Sequence, residues 1–149
     1  MKIKVKVLLS RGMEMPAYAT DGAAAIDLRA ALPEGETLTL APHARALVPT
    51  GVAIAPETKD VVAVVAARSG LAVKHGVTLS NGIGVIDADY RGEIGVGLYN
   101  SSDQPFVIER GDRVAQLLFM PVFAAELIAS ENLSETARGA GGFGSTGVK

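Results

Sequence analysis

The closing stretch of the chain, Arg138-Gly-Ala-Gly-Gly-Phe-Gly-Ser-Thr-Gly147, combines five glycines with one cation, one aromatic ring and two hydroxyls. Glycine lets a backbone bring several N–H groups toward one anion. Arg138, Ser145 and Thr146 add side-chain donors, and Phe143 could lie on a flat ring. The chemistry these parts suit is the gripping of phosphate. A plain flexible Gly/Ser terminus has the same composition, so the stretch alone leaves both readings open.

Four further places carry usable chemistry. Arg68, Ser69 and Gly70 follow an apolar β-branched run and open a short helix, where N–H groups, a hydroxyl and a guanidinium converge on a spot that favours an anion. An N-cap serine beside a surface arginine would look the same. The segment Asn81-Gly-Ile-Gly-Val-Ile-Asp-Ala-Asp-Tyr-Arg-Gly-Glu93 sets an amide, carboxylates and a phenol on what its glycines predict to be a β-hairpin. The Asn81 amide both donates and accepts, as the edge of a pyrimidine such as uracil requires. Tyr90 offers a flat wall for a sugar, and Asp87 is a candidate base for water. All three types are also common in turns and sheets. Asp27 and Gln116 stand among apolar strand residues and need partners, which a salt bridge or a backbone hydrogen bond would supply as readily as a ligand.

Strands must position these residues. Period-two alternation runs through Ile3, Val5 and Val7, through Leu38 and Leu40, and through Ile94, Val96 and Leu98. Val61 to Ala67 is continuously apolar and suits a strand buried on both faces, and Arg113 to Met120 reads similarly until Pro121 stops it. Turn signals fall at Pro33–Gly35, Pro49–Gly51, Pro56–Asp60, Arg91–Gly92, Ser101–Gln104 and Arg110–Asp112. One brief helix, Ser69 to Lys74, is expected to open on a serine cap and to close before Gly76. Together these predict an all-β, jelly-roll-like sandwich or barrel. It forms a single domain over residues 1–149: a β body to residue 133, then a flexible glycine-rich arm over 134–149 that reaches a neighbour or covers a site.

Composition narrows the chemistry. An aromatic content of 5% calls for a core of Val, Ala, Leu and Ile. A net charge of −2 without a basic block speaks against nucleic acid as a partner. With no cysteine and only His43 and His75, a metal would be held by oxygen. The most apolar region, Val114 to Ala129, is broken by Gln116, Pro121 and Glu126 and is shorter than the ~20 residues of a membrane helix. The N-terminus lacks the unbroken apolar run of a signal peptide, so a cytoplasmic protein is expected.

In their order and spacing, five segments resemble the motifs of the trimeric dUTP pyrophosphatase (dUTPase) family: Ala24-Ala-Ile-Asp-Leu-Arg-Ala30, Arg68-Ser-Gly-Leu71, Gly84-Val-Ile-Asp-Ala-Asp-Tyr-Arg-Gly-Glu93, Arg110-Gly-Asp-Arg-Val-Ala-Gln116 and Arg138 to Gly147. The resemblance implies a homotrimer with active sites at subunit interfaces. It implies Mg²⁺-assisted hydrolysis of dUTP to dUMP and pyrophosphate, keeping uracil out of DNA and supplying dUMP for thymidylate synthesis. By similarity, Asp87 activates the attacking water, Tyr90 packs on deoxyribose, and Asn81 and Phe143 meet uracil. Arg68, Ser69, Gly70, Gln116, Arg138, Ser145 and Thr146 meet phosphates. Asp27 orders water around a Mg²⁺ carried mainly by the triphosphate. Ala25 stands where the family commonly has glycine and Ala88 where it often has serine; neither removes a proposed ligand. A dCTP deaminase of the same fold is the enzymatic alternative, and a non-catalytic nucleotide-binding β oligomer is the other.

Overall fold

Lysines 4 and 6 face solvent while Val5, Val7 and Leu9 are half-buried, and that alternation makes strand β1 (Val5–Leu9). The computed structural model describes residues 2–142. In chain order the remaining elements are β2 (Ile26–Arg29), β3 (Thr37–Leu40), β4 (Arg45–Pro49), β5 (Val52–Pro56), β6 (Val61–Ala66), α1 (Ser69–His75), β7 (Val77–Leu79), β8 (Gly84–Ile86), β9 (Gly95–Asn100), β10 (Phe106–Glu109) and β11 (Arg113–Pro121). Strands pair antiparallel as β1-β5, β10-β3, β2-β11-β6-β8 and β4-β9-β7. The fold is all-β and jelly-roll-like, with one short helix among the described residues. No described helix is long and apolar enough to cross a membrane.

The core is aliphatic. Leu28, Leu40, Val48, Val77, Ile94, Val96, Leu98, Ile108, Val114 and Leu117 are all but fully buried, and no aromatic side chain joins them among the described residues. Two buried polar groups have their partners: Asn100 donates to the carbonyls of Leu40 and Gln104, and Thr50 Oγ1 donates to the Ile94 carbonyl at 2.6 Å.

Three sequence expectations change. β6 is buried on one face only, through Val61, Ala63 and Val65, while Val62, Val64 and Ala66 stay half-buried. The outer face of its sheet is apolar all the same: Val85, Val64 and Leu118 form one row in register, and Val62 and Met120 the next. Helix α1 opens on Arg68 in extended conformation, with no side-chain cap, and Ser69 is its first residue. Its closure is as expected, at Gly76 in the left-handed region, φ 68°. The expected hairpin over 81–93 is instead an excursion. β7 pairs directly with β9, Leu79 against Leu98, and the residues between leave that sheet to add β8 to the edge of β6. Among the described residues the last strand ends at Pro121, and side chains from Val122 to Ala140 are exposed.

Candidate functional site

Strand register gathers the first group of predicted residues. Gln116 of β11 lies between Asp27 of β2 and Ala66 of β6, so these three form one row across the sheet. Two residues past Ala66, Arg68 turns back over that row. Its Nε donates to Asp27 Oδ1 at 3.1 Å, and its Nη1 donates to the Arg113 carbonyl at 3.3 Å. Arg113 Nη1 reaches Asp27 Oδ2 at 3.3 Å. Asp27 is thus gripped by two guanidiniums with 16% of its side chain exposed, which answers its need for a partner with a salt bridge. Each carboxylate oxygen keeps lone-pair capacity for water. Ser69 and Gly70 are exposed beside Arg68, at a helix start whose first N–H groups have no partner within the helix. Asp27 and Arg113 also line a cavity of about 670 Å³, walled by Gly12 to Ala19, Arg29 and Arg110.

The second group lies on the 80–94 excursion. Asn81 precedes β8 and Asp87 follows it, both exposed. Asp87 and Tyr90 close a turn in which the Tyr90 N–H donates to the Asp87 carbonyl at 3.1 Å, and Arg91 Nη1 donates to the carbonyls of Ala88 and Tyr90. The Tyr90 ring lies back over Gly92, where an added Cβ would collide with its hydroxyl oxygen. Its hydroxyl donates to the Glu93 carbonyl at 3.1 Å.

Within one chain these groups stay apart. Ile86 pairs with Ala63, so Asp87 lies beside the start of β6, whereas Arg68 lies past its end. The Asp27–Gln116 row stands at Ala66 and Asp87 beside Val62, so four strand residues at about 3.3 Å each separate the two groups by roughly 13 Å. Arg138 is engaged locally, its Nε donating to the Gly141 carbonyl at 2.9 Å. Phe143, Ser145 and Thr146 lie outside the described residues.

Sequence reasoning gave no role to Arg113, Arg11 or Glu93. Arg11 and Glu93 form a two-pronged pair: Arg11 Nε donates to Glu93 Oε1 at 2.9 Å and Arg11 Nη2 to Oε2 at 3.0 Å. The Gly51 N–H adds a bond to Oε1 at 2.8 Å. The hydrogen bonds from Arg11 hold the Glu93 carboxyl below its ordinary range against the opposing effect of partial burial, and Arg11 is raised in turn. The only local signal was an acid of unassigned role at the end of a chemistry-rich loop.

A family model described as dUTPase matches residues 11–147. The deoxyuridine 5'-triphosphate nucleotidohydrolase of Desulfitobacterium hafniense is similar at 51% identity over 149 residues, covering 98% of this chain and 97% of its own. That of Beijerinckia indica is 56% identical over 148 residues, covering 98% and 91%. Among solved structures, Staphylococcus bacteriophage 80alpha dUTPase with dUpNHpp superposes with a TM-score of 0.85 at 30% identity over 99% of both chains. The dUTPase from phage phi11 of S. aureus gives 0.78 at 25%, over 89% of this chain and 99% of that one. With a family match running from the Arg11 turn through all five motifs, and with relatives aligned over nearly the whole length, the chain belongs to the dUTPase family.

Proposed function

We propose that the protein hydrolyses dUTP to dUMP and pyrophosphate, and that its active site is completed between copies of the chain in a homotrimer. The observation that carries this reading is the division of the motif residues into two half-sites. Asp27, Arg68 and Gln116 stand at one end of β6, and Asp87 with Tyr90 at the other, about 13 Å away at strand spacing. A second copy supplies what one chain keeps apart. The uncovered apolar rows of Val85, Val64 and Leu118 and of Val62 and Met120 favour burial against another copy.

In this reading Arg68, Ser69, Gly70 and Gln116 bind phosphates. Arg138, Ser145 and Thr146 close over the terminal phosphates from a neighbouring arm, with Phe143 on uracil. Asn81 pairs with the uracil edge, and Tyr90 lies against deoxyribose. Asp87 takes a proton from a water whose oxygen bonds to the α-phosphorus; the bond from that phosphorus to the bridging oxygen breaks, and pyrophosphate leaves. A general base of this kind contributes about 10² to 10⁴-fold.

Mg²⁺ fits the residues present as a water-bridged ion. No group of three or more His, Asp or Glu among the described residues could cage a metal, and Asp27 retains capacity to accept from an ion's waters. Bound with the triphosphate, it would offset phosphate charge. The product dUMP is a precursor for thymidylate synthesis, and removal of dUTP keeps uracil out of DNA.

The test is pyrophosphate release from the four common deoxynucleoside triphosphates, dUTP and UTP with Mg²⁺, together with solution mass. Turnover of dUTP by a trimer is expected; ammonia from dCTP, or binding without turnover, would overturn the proposal.

A further inference from the structure

The 80–94 excursion leaves one sheet to join another, and the way its far end is fixed bears on Tyr90. Four links tie it in place. The Tyr90 hydroxyl donates to the Glu93 backbone carbonyl, with the ring folded onto Gly92 so closely that any side chain there would collide with it. The Glu93 carboxylate takes two prongs from Arg11 and the N–H of Gly51. Gly51 has φ 69°, and a Cβ there would stand 2.7 Å from the Ser10 carbonyl oxygen, so the strand turn and the Arg11 turn meet backbone to backbone. The Arg11 carbonyl in turn accepts from Arg110 Nη2, which ties the turn to the segment feeding β11.

An exposed ion pair contributes little by itself. This one differs in being two-pronged, joined by a backbone donor, and closing a separation of 82 residues. It fixes the residue whose carbonyl orients the Tyr90 ring.

We infer that Arg11 and Glu93 are positioning residues for sugar selection: the pair anchors Glu93 so that Tyr90 presents a fixed face to the pentose. The inference rests on the proposed role of Tyr90 against deoxyribose. Neither Arg11 nor Glu93 touches substrate in this account.

Glu93→Gln keeps shape but removes charge, Arg11→Met removes both prongs, and Arg11→Lys restores charge without the fork. Each is compared with wild type and Tyr90→Ala, after far-UV circular dichroism and solution mass confirm fold and assembly. In Glu93→Gln and Arg11→Met the ratio of kcat/KM for dUTP to that for UTP should fall on the order of tenfold. Arg11→Lys should recover part of it, and the double variant should fall no further than the worse single one. Amide hydrogen exchange on the unliganded protein supplies a readout without turnover, with peptides covering 87–94 exchanging faster in both variants. Unchanged exchange overturns the anchor in every case. Faster exchange with an unchanged substrate ratio, where Tyr90→Ala does lower it, overturns the link to sugar choice. A wild type that fails to turn over dUTP sinks the proposed function instead, and exchange still decides the anchor.

Discussion

Asp87 is exposed on its turn and no described contact engages its carboxylate, so exchanging it for asparagine removes a proton acceptor while leaving the packing alone. Asp87→Asn is expected to bind dUTP as the wild type does, measured by calorimetry, and to lose about 10² to 10⁴-fold in turnover. Its melting temperature should not move, since surface changes of this kind stay within about 0.5 kcal/mol. Glu93 behaves oppositely. Its folded carboxyl is held below the ordinary value of 4.5 chiefly by Arg11, so its contribution is complete above that value and is lost as pH falls through the folded one. The melting temperatures of wild type and Glu93→Gln should therefore differ at pH 7 and converge in acid; a constant gap would deny the carboxylate its part. Residue types mark Asp87, Asn81 and Tyr90 as a candidate chemical set, and all three lie exposed on one excursion. Partners were not legible: Arg113 meets Asp27 across 86 residues and Arg11 meets Glu93 across 82, and only strand register creates such encounters.

Helix α1 opens on extended Arg68, and the hydroxyl of Ser69 caps nothing. Loss of a working cap costs about 1 kcal/mol, so Ser69→Ala should leave the melting temperature unchanged and act on KM for dUTP instead. A drop in stability with KM unaltered would return Ser69 to a structural role. The same element shows what local pattern can carry. Gly76 marks the helix end because a left-handed residue is a local requirement, and Ser69 marks its start, but as the first helical residue and not as a cap, because serine suits both positions. Strands followed the same division. Long alternating or apolar runs, β1, β6, β9 and β11, were visible; β7 and β8, at three residues each, were too short to show a period. The 81–93 stretch held the residues of a hairpin, yet a pairing of Leu79 with Leu98 set its path.

At the scale of the molecule, the uninterrupted apolar run of β6 predicts cover on both faces, and the described residues of one chain fully bury only one. The prediction is met if other copies lie on the second. Val64→Glu places charge at the centre of the outer rows without touching the core, and should give a folded species of 15.3 kDa with little turnover, read by light scattering. A trimer that survives the change would put the interface elsewhere. The distance between Arg68 and Asp87 along β6 has a genetic consequence as well. A chain carrying Arg68→Ala and one carrying Asp87→Asn, each silent alone, should regain activity when unfolded and refolded together, because a mixed assembly contains a place where the intact arginine of one meets the intact aspartate of the other. Two defects on the same chain, mixed with nothing, have no such remedy.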